Sequence, residues 1–187
     1  MNKFLFAMTM ILSHLCTAQS DTIYWNDQYH LQWKDYRGKP NPSSSAVAFT
    51  AYDIVCKILK SQNEKQLIVE VSSIFLPDHS WHKNFFDSVL LEHEHLHFAI
   101  VELFARHLRM IITQKTYQSP LNLKKTLEKK YRHIMKKMDK YQDIYDTETN
   151  YSMNIIKQKQ WKEKITSELN QLSQYSSRFM EIPLANE

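Results

Sequence analysis

The apolar residues Phe86, Leu90, Ile100, Phe104, Leu108 and Ile111 recur at steps of three or four, and His93 and His97 fill the gap in the middle of that stripe. The period is that of an α-helix and is sustained for about seven turns. The helix is expected over residues 83–115. His93 and His97 stand one turn apart, so both rings are presented to one point on the core-facing side. Burying two imidazoles without partners would cost several kcal/mol. Either a shared metal ion or neighbouring carbonyls must satisfy them.

The run His93-Glu94-His95-Leu96-His97 matches HExxH. On a helix that spacing lets two neutral imidazoles bind zinc while the glutamate takes a proton from bound water. The five-residue pattern also arises by chance, so its context matters. Glu92, His95, Glu102, Arg106 and Arg109 fall on the opposite side of the helix. His95 is therefore expected in solvent, and Arg106 is expected to pair with Glu102 for a few tenths of a kcal/mol.

A length of 187 residues with 43% hydrophobic content fits one domain with a real core. Met1-Asn2-Lys3 and the apolar run that follows it over residues 4–12 read as a secretory signal, with cleavage expected after Ala18. The run is too short to span a bilayer comfortably. Lipidation at Cys16 is disfavoured by the bulk of Leu15 before it. Export to the periplasm, outer envelope or extracellular space is expected, with membrane contact at most peripheral. After cleavage only Cys56 remains, so no intramolecular disulfide can form.

Residues 19–187 are expected to form a single domain, β-rich over 19–80, helical over 83–175, with a tail over 176–187. Segments 22–25, 31–36, 46–59 and 66–75 are rich in β-branched and aromatic residues and read as strands, with a hairpin turn over residues 61–64 between the last two. Ser119-Pro120 marks a second helix start, with serine as cap and proline at the first helical position. Its stripe is Leu123, Leu127, Tyr131, Ile134, Met138, Tyr141 and Tyr145; a third stripe runs Trp161, Ile165, Leu169 and Leu172. A short linker is expected from Asp146 to Ser152. The cations Lys124, Lys125, Lys129, Lys130, Arg132, Lys136, Lys137 and Lys140 form a solvated face of the second helix, and nucleic acid is not expected as a partner. The fold class is therefore α+β, an N-terminal antiparallel sheet packed on a mainly helical C-terminal half with a long HExxH helix, in a zincin-like arrangement.

Catalytic zinc usually takes three protein ligands, and HExxH supplies two. His107 lies about 15 Å further along the same helix and cannot reach. Leu103 occupies the place where the long metzincin signature has its third histidine. The third ligand must come from another element, and a helical hairpin would fold the segment around Asp146 and Tyr151 back toward the HExxH helix.

Ser80-Trp81, the stretch Leu91-Glu92-His93-Glu94-His95-Leu96-His97-Phe98, the following Val101-Glu102-Leu103-Phe104-Ala105-Arg106, and later Tyr145-Asp146-Thr147-Glu148-Thr149-Asn150 and Trp161 together resemble a bacterial family of predicted secreted zinc-dependent proteases that is catalogued as a domain of unknown function. That family's second motif reads Tyr-Asp-x-x-Thr-x-His-Gly. Tyr145, Asp146 and Thr149 match it, whereas Tyr151 and Ser152 stand at the histidine and glycine positions. The resemblance implies a Zn²⁺ peptidase acting on a peptide or protein substrate, with His93 and His97 as metal ligands and Glu94 as general base. The third ligand is Asp146, already ionised at neutral pH, or Tyr151, whose phenol ionises near pH 10 until a metal lowers it. The strand ending near Phe75 is a candidate edge for pairing with an extended peptide. The resemblance also leaves open a non-catalytic protein that keeps the scaffold without turnover.

Overall fold

The computed structural model describes residues 22–61 and 65–185. The expected signal segment and Cys16 lie outside them, as does most of the expected turn over residues 61–64. In chain order the strands are β1 (Ile23–Tyr24), β2 (Ala48–Phe49), β3 (Tyr52–Lys60), β4 (Gln66–Phe75), β5 (Trp81–His82) and β6 (Phe179–Pro183), and the helices are α1 (Ser88–Thr113), α2 (Pro120–Thr149) and α3 (Ile155–Gln171). The fold is α+β, with an antiparallel sheet from the N-terminal half and three helices from the C-terminal half.

β4 is the centre of the sheet. β3 runs antiparallel along it from Tyr52↔Phe75 to Lys60↔Leu67. On the other side β6 covers Gln66 to Glu70 and β1 covers Ile74 and Phe75. Both edges of β4 are thus occupied, and the expectation that it offers a free edge to a peptide is corrected. β6 also corrects the expected tail, since Ile182 is fully buried there and Val71 N–H donates to Arg178 O at 2.9 Å. The five-residue strand has little apolar alternation of its own, and its register is set by pairing with β4.

Two further local expectations fail for identifiable reasons. The segment 31–36 is not a strand but contains a 3-10 turn, Trp33–Asp35. Asp35 accepts from the Gln32 N–H and from the Tyr29 hydroxyl, both at 2.8 Å, so a side chain supplies bonds that a sheet neighbour would have supplied. The segment 46–59 breaks at Thr50 and Ala51, where Ser80 Oγ accepts from Ala51 N–H at 2.9 Å. β2 then leaves to pair with β5.

The helix boundaries follow their caps. Asp87 accepts from Leu90 N–H at 2.7 Å, so α1 begins at Ser88 rather than near Lys83, and Phe86 is left 68% exposed outside the helix. Ser119 accepts from Asn122 N–H at 3.2 Å and Pro120 opens α2, as its sequence predicts. α2 continues through Asp146, which therefore belongs to its last turn rather than to a linker. Asn150, Tyr151 and Ser152 follow with φ of 48°, 52° and 73°, three successive left-handed residues none of which is glycine.

α1 packs against the sheet, α2 and α3. Having neighbours on several sides, it buries its polar side as well. His95, Glu102, Arg106 and Arg109 are all buried, correcting the expectation of a solvated His95 and a surface Glu102–Arg106 pair. Where no water is left to satisfy polar groups, they pair with one another and with backbone.

Candidate metal centre

α2 runs beside α1 and presents Gln142, Tyr145, Asp146 and Thr149 toward it. These residues are three or four apart and so share one helical face. Tyr145 is fully buried; its ring stacks on His93 at 4.6 Å and its hydroxyl donates to His93 O at 3.3 Å. Thr149, also fully buried, donates to Tyr145 O at 2.7 Å. The Tyr145-Asp146-x-x-Thr149 pattern is thus an anchor that brings Asp146 to the two histidines.

Three side-chain atoms converge there. His93 Nε2 lies 3.1 Å from Asp146 Oδ1, His97 Nε2 lies 3.0 Å from the same oxygen, and the two ring nitrogens are 3.2 Å apart. Ligand atoms about 2.0–2.1 Å from a tetrahedral ion stand about 3.3 Å from one another. The spacing therefore suits one small divalent cation, and two imidazoles with a carboxylate are a donor set that zinc accepts. His93 is buried, His97 nearly so, and Asp146 is 28% exposed, which leaves an approach from solvent on the carboxylate side.

The electrostatics also favour positive charge at this point. Burial alone would lower the proton affinity of His97, but the hydrogen bond to Asp146, the charges of Glu94 and Asp146, and the Gln142 contact together raise its pKa above that of ordinary imidazole. Burial pushes the Asp146 carboxyl up, yet the hydrogen bonds and charges of His93 and His97 hold it well below the usual carboxylate range. A cation coordinated by the three would provide the charge that a proton otherwise supplies.

Glu94 is buried at 5% exposure and accepts from Thr50 Oγ1 at 2.6 Å through Oε2. Thr50 in turn lies 2.9 Å from the Tyr36 hydroxyl. Its position just after β2 is how the sheet side of the molecule reaches the HExxH helix. Gln142 is likewise buried. His97 Nδ1 is 2.6 Å from its Oε1, and its Nε2 donates to His97 O at 3.0 Å. His93 Nδ1 is buried with no hydrogen-bond partner among the described residues.

The structure thus brings together His93, Glu94, His97 and Asp146. Tyr151 instead stands in the left-handed turn after α2 with its side chain 65% exposed, while its N–H donates to Asp146 O at 2.9 Å. Sequence reasoning missed Gln142 and Thr50. Gln142 could have been found as the residue one turn before Asp146; Thr50 carries no local signal. His95 lies on the other side of α1, its ring 3.7 Å from that of His30 and 5.5 Å from that of Trp25, with Nδ1 accepting from Leu31 N–H at 3.4 Å. Trp81 is buried and stacks on Phe49, and His79 is exposed.

The fold and the site define an α+β protein whose long central helix carries HExxH and whose neighbouring helix adds a carboxylate to make a His-His-Asp cluster able to hold a metal ion. Residues 77–153 match a bacterial protein family of unknown function, DUF922. The match covers the HExxH segment of α1 and all of α2, and so includes every residue of the cluster. No curated protein and no solved structure matches the chain.

Proposed function

We propose that the protein is an exported zinc-dependent peptidase that hydrolyses peptide bonds in a peptide or protein substrate, in the periplasm, the outer envelope or outside the cell. The observation that carries this reading is the convergence of His93 Nε2, His97 Nε2 and Asp146 Oδ1 beside a buried glutamate of an HExxH motif. His93, His97 and Asp146 would hold the ion, with Asp146 in preference to Tyr151 as third ligand because it already stands at both rings. Zinc bound there would lower the pKa of a water toward 7 and polarise the scissile carbonyl. Glu94 takes the proton from the attacking water and passes it to the leaving amine. Thr50 holds one carboxylate oxygen of Glu94, which keeps the other free to carry that proton.

Elemental analysis of the purified protein and digestion of a broad peptide library test the reading together. About one zinc per chain and hydrolysis that disappears in Glu94→Gln, with zinc retained, are expected. Full hydrolysis by Glu94→Gln would remove that residue from the mechanism. Asp146→Asn is expected to lose zinc, and Tyr151→Phe to keep it.

A second reading, a metal-holding envelope protein without turnover, is favoured by one observation. Tyr151 stands where the resembling family has histidine, and its side chain points into solvent. Zinc at full occupancy with no cleavage anywhere in the library would select that reading.

A further inference from the structure

We propose that the outer face of α2 docks on an anionic phospholipid bilayer, with Lys125, Lys129, Arg132, Lys136 and Lys140 against the headgroups and Leu121 entering beneath them. The proposal goes beyond the peptidase reading and does not depend on a metal ion. The five cations follow one another at steps of four, three, four and four. At 3.6 residues per turn and 1.5 Å per residue they form one row about 22 Å long, on the side of α2 opposite its buried Leu123, Leu127, Ile134 and Met138. All five are exposed, and no ion pair among the described residues includes any of them.

The fold does not ask for this row. Like charges three or four residues apart on a helix destabilise it, and here four such steps follow in succession. From Lys124 to Lys140 there are eight cations against two acids, Glu128 and Asp139, although the whole chain carries only +4, so the rest of the chain is net negative. Solubility is served by interspersed signs, whereas a stripe of one sign creates a field that draws an anionic partner.

Two features select a lipid surface among such partners. The row is straight and lies along the crest of a helix. A bilayer presents anions everywhere along such a line, while the phosphates of duplex nucleic acid wind around an axis and meet only part of it. Leu121, 59% exposed, stands four residues before Lys125 at the head of the row. An apolar side chain there gains by leaving water for the acyl boundary and gains nothing from a dissolved polyanion. The other apolar residues of the stripe that α2 needs for insertion are already used in the core, so the contact is peripheral and mainly electrostatic. Each Lys or Arg beside an anionic bilayer strengthens binding about fivefold.

The test mixes the full chain with vesicles of phosphatidylcholine, alone or blended with phosphatidylglycerol, and reads the bound fraction by co-sedimentation. Binding to the neutral vesicles measures what the apolar run over residues 4–12 contributes in both cases. Binding to the anionic vesicles should exceed it in about 0.1 M salt and fall to the same level in about 1 M salt, where the Debye length shrinks from about 10 Å to about 3 Å. Lys129→Gln with Lys136→Gln should weaken the anionic binding about 25-fold. Lys34→Gln with Lys39→Gln removes the same charge from exposed positions off α2 and should change it less than about twofold. Leu121→Ser should weaken vesicle binding about tenfold and leave binding to heparin unchanged. Equal binding to the two vesicle types, or equal loss in the two double variants, would overturn the proposal, as would wild-type vesicle binding by Leu121→Ser. The urea midpoint of Lys129→Gln with Lys136→Gln should match or exceed that of the wild type, since like-charged neighbours are removed. A lower midpoint would show that the row serves the fold and would also overturn the proposal.

Discussion

Replacing Glu102 by glutamine should be among the most destabilising single-atom exchanges in this protein. The Glu102 carboxylate is 1% exposed and accepts from Arg106 Nε at 2.8 Å, from Arg109 Nη1 and Nη2 at 2.8 and 3.1 Å, and from Ser73 Oγ at 2.5 Å. Both guanidinium groups are buried. They keep some backbone bonds, Arg109 to Val71 O and Tyr175 O and Arg106 to Leu169 O, each at 2.9 Å, but among the described residues the other carboxylate paired with Arg106 is Asp27, whose side chain is 61% exposed. Glutamine therefore leaves two buried positive charges without their common counter-ion and turns an NH₂ toward an N–H donor. Breaking a buried ion pair from one side costs about 3–5 kcal/mol. With each kcal/mol lowering Tm by about 2–4 °C in a domain of this size, the melting temperature should fall by roughly 6–20 °C. Urea unfolding followed by far-UV circular dichroism, at fixed zinc, measures the loss as a shift in midpoint with the slope unchanged. The combined variant Glu102→Leu, Arg106→Leu, Arg109→Met removes charge from both sides and should cost less than Glu102→Gln alone. A loss below about 1 kcal/mol for Glu102→Gln would mean that the network is solvated, as an exposed i,i+4 pair would be, and would refute the argument.

At high pH stability should fall through ionisation of partly buried acids. Burial, with help from the Asp35 hydrogen bond, pushes Tyr29 up to about 12; burial and nearby carboxylates do the same for Tyr52, burial and Asp53 for Tyr131, and burial with the charge of Asp53 for Cys56. These groups ionise near 9–10 when unfolded, so the stability they contribute is intact below that range and is lost as the pH rises toward 12. Far-UV circular dichroism should be retained up to about pH 10 and lost as the pH rises toward 12; an unchanged signal at pH 12 would contradict this. For the same reason Cys56 should react slowly with a disulfide reagent at mildly alkaline pH and quickly in urea. Thr50→Val should cost about 1.5–3 kcal/mol by stripping a hydrogen bond from the buried Glu94 carboxylate; a loss near zero by urea unfolding would show that this bond does not support the fold. Ile182→Ala should cost about 2–5 kcal/mol by urea unfolding, and a loss near zero would mean that β6 is not part of the core.

The parts of the fold that could be read from the chain are those governed by short-range geometry. The repeat of three and four from Leu90 to Ile111, the Ser119-Pro120 cap and the Trp161, Ile165, Leu169 stripe each act within one helix, where backbone period and capping bonds leave little freedom. The same local rule placed His93 and His97 on one face, and it correctly removed His107 from the site. It erred where a side chain or a distant strand competes with local pattern, as at Asp35, which ties residues 31–36 into a 3-10 turn, and at β6, which owes its pairing to β4.

The amino-acid sequence by itself determined that two imidazoles lie together on α1, because helix pitch converts a spacing of four residues into adjacency. Only the tertiary structure decided what meets them. Asp146 reaches His93 across 53 residues of chain and Gln142 reaches His97 across 45. It also decided that His95, Glu102, Arg106 and Arg109 are buried and bonded instead of solvated. Such contacts depend on which faces α2, α3 and the sheet present to α1, a choice made by the packing of whole elements and the exclusion of water between them, which no local period contains.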